Sequence, residues 1–291
     1  MMNVNDILTA VLVLIGAPII GCLAAGIDRK LTARLQGRVG PPLLQPYYDV
    51  KKLLSKDNMI VNESQNFYVV IYLAFIILSL LMLVFKADIL MIIFVYTISS
   101  IALIVGGMST GSPYARLGSS REIMAVLSYE PVLILYALAI YLLTGTFKLS
   151  AVADASTPLL MYTPLIFIAM LAVLTIKLKK SPFDYSTSHH AHQELVKGML
   201  TEYSGPGLAG IEIAHFYEYV FLTGLIFLFW AVNPLIGVLI AIAAYLLVIV
   251  IDNITARVYW QWMLKMSWSV LLIISLINIA FLYFSKVTIM V

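Results

Sequence analysis

The sequence predicts an all-α integral membrane protein with about eight transmembrane helices, both termini outside and long cytoplasmic loops. Three observations lead there: an excess of apolar residues, the length of the apolar runs, and the placing of basic residues between them. Of 291 residues, 62% are hydrophobic and 11% charged, whereas soluble domains carry about 45–50% and 25%. A water-soluble fold of this size has no interior large enough for that much apolar surface, so the surrounding solvent is lipid. The even spread of the apolar runs predicts a single membrane domain over 1–291 rather than two soluble domains.

A spanning helix needs about 20 apolar residues, because roughly 30 Å of hydrocarbon is crossed at 1.5 Å per residue. Eight segments qualify: about 6–27, 67–85, 89–108, 123–143, 163–178, 206–230, 236–252 and 267–285. The start is not basic, so 6–27 reads as a retained helix rather than a cleaved signal. The fifth segment is short, and Lys177, Lys179 and Lys180 are expected to extend it by snorkelling to the interface. The runs are continuous, not alternating, which excludes a barrel.

Orientation follows from the 18 lysines and arginines. With 28–66 placed inside, fifteen fall on inside segments and only Lys86, Lys148 and Lys286 outside. The two long inside segments, about 28–66 and 179–205, are cytoplasmic loops. Within the first, Leu43, Tyr47, Val50 and Leu54 recur at helical spacing beside Lys51 and Lys52, which predicts a short interfacial helix.

An ionisable group at the bilayer centre costs about 2.5–3.5 kcal/mol on insertion scales, so such residues are candidates for function. The fourth segment carries Glu122 and Glu130. Eight residues turn a helix about 80° past two full turns, so the two carboxylates share a broad face, with Tyr129 beside them. For Glu122 the plainer reading is an interfacial pair with Arg116 or Arg121, and for Glu130 a structural hydrogen bond. The sixth segment carries Glu212, His215 and Glu218 at three-residue steps, within reach of one another. Carboxylate and imidazole chains of this kind mark proton paths. In the second cytoplasmic loop, Asp184, Glu194 and Glu202 continue an acidic route, although a solvated loop charge is the plain alternative for the last two. His189, His190 and His192 match no strong zinc spacing, so no metal site is expected.

Other chemistry is absent from the pattern. No P-loop or nucleotide-binding glycine run occurs, no serine–histidine–acid arrangement stands out, no catalytic residue is expected, and nothing points to nucleic acid. The single cysteine, Cys22, cannot supply the four thiolates an iron–sulfur cluster usually takes. The chain therefore reads as a conduit and docking platform.

Three stretches carry a family resemblance. Arg34-Leu-Gln-Gly-Arg38-Val-Gly40-Pro41-Pro42-Leu-Leu-Gln45-Pro46, with Asp49 and Lys52 following, resembles the first cytoplasmic loop of the complex I subunit that joins the peripheral and membrane arms. Ser181-Pro-Phe-Asp184, Glu194-Leu-Val-Lys-Gly198 and Thr201-Glu-Tyr-Ser-Gly205 resemble its long loop, and Ser128-Tyr-Glu130 its intramembrane glutamate motif. Two departures, Pro41-Pro42 after Gly40 and the histidine-rich run after Asp184, are similar to the membrane subunit of energy-converting [NiFe] hydrogenases of the Ech and formate-hydrogenlyase type. The resemblance implies a cofactor-free subunit in a prokaryotic cell membrane. It would dock a hydrogenase arm through Arg29, Arg34, Arg38 and Asp49. It would couple ferredoxin-driven hydrogen evolution to proton or sodium movement along Glu122, Glu130, Asp184, Glu194, Glu202, Glu212, His215 and Glu218. Implied partners are the hydrogenase large and small subunits, which hold the [NiFe] centre, an iron–sulfur subunit, an antiporter-like membrane subunit, ferredoxin and the lipid bilayer. Two rival readings remain: a quinone-binding subunit of a complex I-like dehydrogenase, and a passive membrane anchor. The lack of internal repeats speaks against a stand-alone transporter.

Overall fold

The computed structural model of the chain describes residues 4–59, 61–183, 198–258 and 260–285. Asp184, Glu194 and the three loop histidines lie outside the described residues.

The first helix, α1 (Val4–Leu35), is 32 residues long. It outruns the expected 6–27 because Lys30, Leu31, Ala33 and Arg34 are competent helix formers, and it ends at Gly37, whose φ of +71° leaves the helical region. The segment 28–66 therefore begins as a helix rather than a loop. A short helix stands where the interfacial one is expected, α2 (Gln45–Leu54), with a proline in its first turn. Pro46 and Val50 are its buried residues, and Val50 joins a small cluster with Cys22, Ala25, Ala209 and Phe216. Leu43, Tyr47 and Leu54, expected on the same face, are exposed. Two glycines of α1 permit these contacts. A Cβ on Gly26 would collide with the carbonyl of Leu43, and one on Gly21 with the carbonyl of Phe216, the small-residue logic of close membrane-helix approach.

A long hairpin follows, α3 (Glu63–Val84) and α4 (Ile89–Ser109), capped by the side chains of Asn62 and Asp88. Next come α5 (Pro113–Thr144), the short α6 (Leu149–Ala153) and α7 (Pro164–Lys177). The chain continues with α8 (Gly205–Phe227) and α9 (Pro234–Ile254), then α10 (Trp260–Met266), which runs through a π-turn at Ser267–Leu271 into α11 (Leu272–Ser285). Among the described residues, seven helices are long and apolar enough to cross a membrane, counting α10 to α11 as one. The eighth expected span, α7, has only 14 residues, a rise of about 21 Å.

The helices meet over a core that includes Tyr96, Tyr129, Tyr136, Phe221 and Phe229, all fully buried. Tyrosine hydroxyls tie neighbours by donating to backbone carbonyls: Tyr217 to Leu14 at 2.6 Å, Tyr245 to Ala24 at 3.0 Å and Tyr136 to Leu225 at 3.1 Å. Asn278 holds the start of α7. Its Oδ1 accepts from the backbone N–H groups of Leu165 and Ile166, and its Nδ2 donates to the carbonyl of Tyr162. Outward faces carry side chains such as Leu239, Ile277 and Phe281, which are exposed, as lipid contact requires.

Candidate functional site

The short helix α7 ends inside the bundle, and its last residue is Lys177. The expectation that Lys177 snorkels to the interface is not met: it is 7% exposed. A helix about 9 Å short of the hydrocarbon thickness leaves its terminal side chain below the interface. The ammonium there can turn inward to a partner, and it does. Lys177 Nζ lies 3.0 Å from Glu218 Oε1 on α8. It also donates to Ser100 Oγ on α4 at 3.0 Å and to Tyr129 OH on α5 at 3.2 Å. An ammonium has three N–H groups, so all three are engaged. The same nitrogen stands 4.5 Å and 4.8 Å from the ring centres of Tyr96 and Tyr129, within cation–π range.

Glu218 is equally enclosed, at 8% exposure. Its Oε1 accepts from Tyr96 OH at 2.7 Å and its Oε2 from Tyr72 OH at 3.2 Å. Five helices thus contribute to one ion pair: α3, α4, α5, α7 and α8. Removing either partner would leave a buried charge unmatched, a loss of about 3–5 kcal/mol.

Beside the pair is a cavity of about 10 Å³, on the order of one water molecule. Glu122, Lys179 and His215 line it together with Tyr72, Ser100 and the pair itself. Glu122 is buried. Lys179 reaches the cavity through an unusual backbone, with φ of +54°. Its N–H bonds to the Ile176 carbonyl and that of Lys180 to Thr175, the helix stop in which glycine is the common residue.

Lys180 points elsewhere. It bridges Asp28 of α1, at 2.7 Å, and Asp252 of α9, at 3.1 Å, and Asp252 also accepts from the Ser181 backbone N–H at 2.8 Å. Burial opposes the charge on Lys180, but the two aspartates outweigh it and raise its pKa.

Of the sequence-derived residues, the structure brings together Glu122, His215 and Glu218. Glu212 is half-buried, near its α8 neighbours His215 and Glu218. Glu130 is elsewhere: it lines an apolar groove with Leu127, Pro131, Ile134 and Trp268. The reason is angular. Tyr129 is seven residues from Glu122 and nearly in line with it, whereas Glu130 is a further 100° round the helix. Glu202 is half-buried in the turn before α8, where its backbone carbonyl accepts from Gln65 Nε2 at 3.1 Å. Next to it, burial pushes the Tyr203 hydroxyl up to about 12. Arg29 and Asp49 engage each other at 2.5 Å, and Gln45 donates to the same carboxylate at 3.0 Å. Arg34 and Arg38 are exposed, with Arg38 bonded to Gln36. Sequence reasoning missed Lys177, Tyr72, Tyr96 and Ser100 as site residues, and the Asp28–Lys180–Asp252 triad.

A family model described as NADH dehydrogenase matches residues 8–283. Hydrogenase-4 component C of Escherichia coli (strain K12) is 30% identical over 204 residues, 64% of this chain and 63% of that protein. The chain therefore spans under two thirds of that relative's length. An NADH-quinone oxidoreductase subunit of Geobacillus kaustophilus (strain HTA426) is 30% identical over 287 residues, 87% of this chain and 85% of that protein. Among solved structures, a chain of the membrane-bound sulfane sulfur reductase (MBS), an archaeal respiratory membrane complex, superposes with a TM-score of 0.87 at 26% identity, covering 96% of this chain and 100% of the other.

Proposed function

Because the chain belongs to the NADH dehydrogenase family, we propose that it is the cofactor-free membrane subunit of a ferredoxin-dependent, hydrogen-evolving [NiFe] hydrogenase, which anchors the hydrogenase arm and couples its redox reaction to proton or sodium movement. The relatives are subunits of multisubunit oxidoreductases, and the chain is a multi-pass membrane subunit of such a complex I-like assembly. The hydrogenase assignment rests on the likeness to hydrogenase-4 component C and on the Pro41-Pro42 and post-Asp184 departures. In this reading the chain lies in a prokaryotic cell membrane with both termini outside, and the segments 28–66 and 179–205 meet the hydrogenase large and small subunits and the iron–sulfur subunit. An antiporter-like subunit adjoins it within the membrane. With one cysteine, buried against α2 and α8, nickel and clusters belong to the partner chains.

The observation that carries the coupling role is the charged cluster inside the bundle. A passive anchor has no need of Glu122, Lys177, His215 and Glu218 around one small cavity; apolar residues of like volume are often as stable or more so. Glu122, His215 and Glu218 form the intramembrane part of the path. Glu202 and Glu212 are assigned the approach to it from the cytoplasm, the acids Asp184 and Glu194 of the second loop are assigned proton supply to that approach, and Glu130 is a side branch.

The longer matches favour a second reading, an assembly of the same architecture that passes electrons to quinone or to sulfane sulfur without nickel. Gentle solubilisation, capture through this chain and determination of nickel separates the two. Near-stoichiometric nickel is expected. An intact complex without nickel would overturn the hydrogenase reading in favour of the second.

A further inference from the structure

The geometry points to Lys177 as a moving counter-ion: we infer that its ammonium exchanges between Glu218 and Glu122 across the cavity, and that this exchange gates the path. The inference rests on the coupling role proposed above. Its starting point is an asymmetry. The cavity is lined by two buried carboxylates, and only one holds the Lys177 ammonium. Glu122 opens onto the cavity from α5, while Lys177 leans away to α8, α4 and its α5 neighbour Tyr129. A lysine suits this work. Its ammonium is a compact charge on a flexible four-carbon stem, and it rests over the faces of Tyr96 and Tyr129, which favour a cation along the way.

The step balances simply. A proton reaching Glu218 forms an O–H bond on its carboxylate and removes the negative charge. Lys177 keeps its own protons, loses its partner and swings to ionised Glu122. When that proton crosses the cavity from Glu218 to Glu122, the ammonium returns to the Glu218 carboxylate, and Glu122 then releases the proton, which restores the starting state. One proton moves per cycle, no electrons change place, and the two carboxylates are never both free of a cation or proton. The other charged and titratable groups facing the cavity are Lys179, Tyr72 and His215. Lys179 lines the same cavity, so two lysines and two glutamates face it.

The test uses the whole complex in liposomes, with protons and sodium ions moved per electron pair as the readout. This ratio is insensitive to how much complex assembles. Lys177→Met is expected to lower the ratio severalfold or abolish it, because no ammonium is left to exchange between the two carboxylates. Lys180→Met, three residues on and outside the cavity, is expected to keep the native ratio. If the methionine variant does not assemble, Lys177→Arg takes its place. It keeps the charge but carries a larger, planar head that exchanges poorly, so a severalfold fall is expected. A native ratio in an assembled Lys177 variant overturns the inference and leaves the coupling role standing, as does an equal fall in Lys180→Met. A native complex that turns over without moving either ion removes the coupling role and the inference with it.

Discussion

Lys177 and Lys180 are separated by less than one helical turn, yet they finish in opposite kinds of site. Lys180 stands between two aspartates from two other helices, with some solvent access. Its site carries a surplus carboxylate in direct contact, so its ammonium gains nothing by moving. Lys177 has one carboxylate in contact, two hydroxyls and two aromatic faces, and a second carboxylate across a gap. The first arrangement fastens α1, α7 and α9 together. The second leaves its cation a choice. A buried ion pair is informative about function when the charges around it are not used up by the contacts.

The largest effect is expected for Glu218→Ala, which strands Lys177 in the bundle. A loss of about 3–5 kcal/mol should keep the complex from accumulating in membranes, read as its yield after solubilisation. Next is Glu122→Gln, which removes an acid while keeping its size. The complex should assemble, and ion-coupled turnover should fall by on the order of a hundredfold. Glu130→Gln, on the other face of α5, is expected to slow coupled turnover less. Equal losses in the two would place the apolar groove on the main path, and full coupled activity would remove Glu130 from it.

Smaller again is Asp252→Asn, since Lys180 retains Asp28. About 1–2 kcal/mol should appear as a lower unfolding temperature of the complex in detergent, with ions moved per electron pair unchanged. Smallest is Arg29→Ala at the exposed pair with Asp49, worth under about 1 kcal/mol and weakened by salt. Burial of Asp49 raises its pKa, but the hydrogen bonds from Arg29 and Gln45 outweigh it, so the net shift is downward. A carboxylate with a lowered folded-state value stabilises above its unfolded-state value and loses that contribution as pH falls through the folded one. Hydrogen exchange of the 45–54 amides should therefore stay slow until the pH drops below the ordinary carboxylate range, and Arg29→Ala should move that onset to higher pH.

Composition and run length made the membrane class and most of the helices legible, because lipid imposes a length and a polarity on every span. The α2 helix was legible from its spacing and basic neighbours. What escaped was pairing. Lys177, Lys179 and Lys180 at the end of an apolar run have the pattern of interfacial lysines, and the partner of Lys177, Glu218, lies on another helix far along the chain. One signal was available: a span of 14 residues is too short to carry its last side chain to the interface. The Glu122–Glu130 face was overdrawn for a similar reason. A separation of about 80° is enough to put one side chain in the core and the other in a groove, and only the neighbouring helices decide which.

The unusual length of two helices has a mechanical consequence. Both α1 and α5 run for 32 residues, about 48 Å, some 18 Å more than the hydrocarbon is thick. The surplus of α1 carries Asp28 and Arg29, and the opening turns of α5 lead to Glu122 without interruption. Each helix has an internal proline, Pro18 in α1 and Pro131 in α5, and both lie beyond these charges, so the stretch from the surplus end to the charge is free of a proline joint. A redox arm seated against these ends would push on stretches of helix that already reach a buried carboxylate, Asp28 in one and Glu122 in the other.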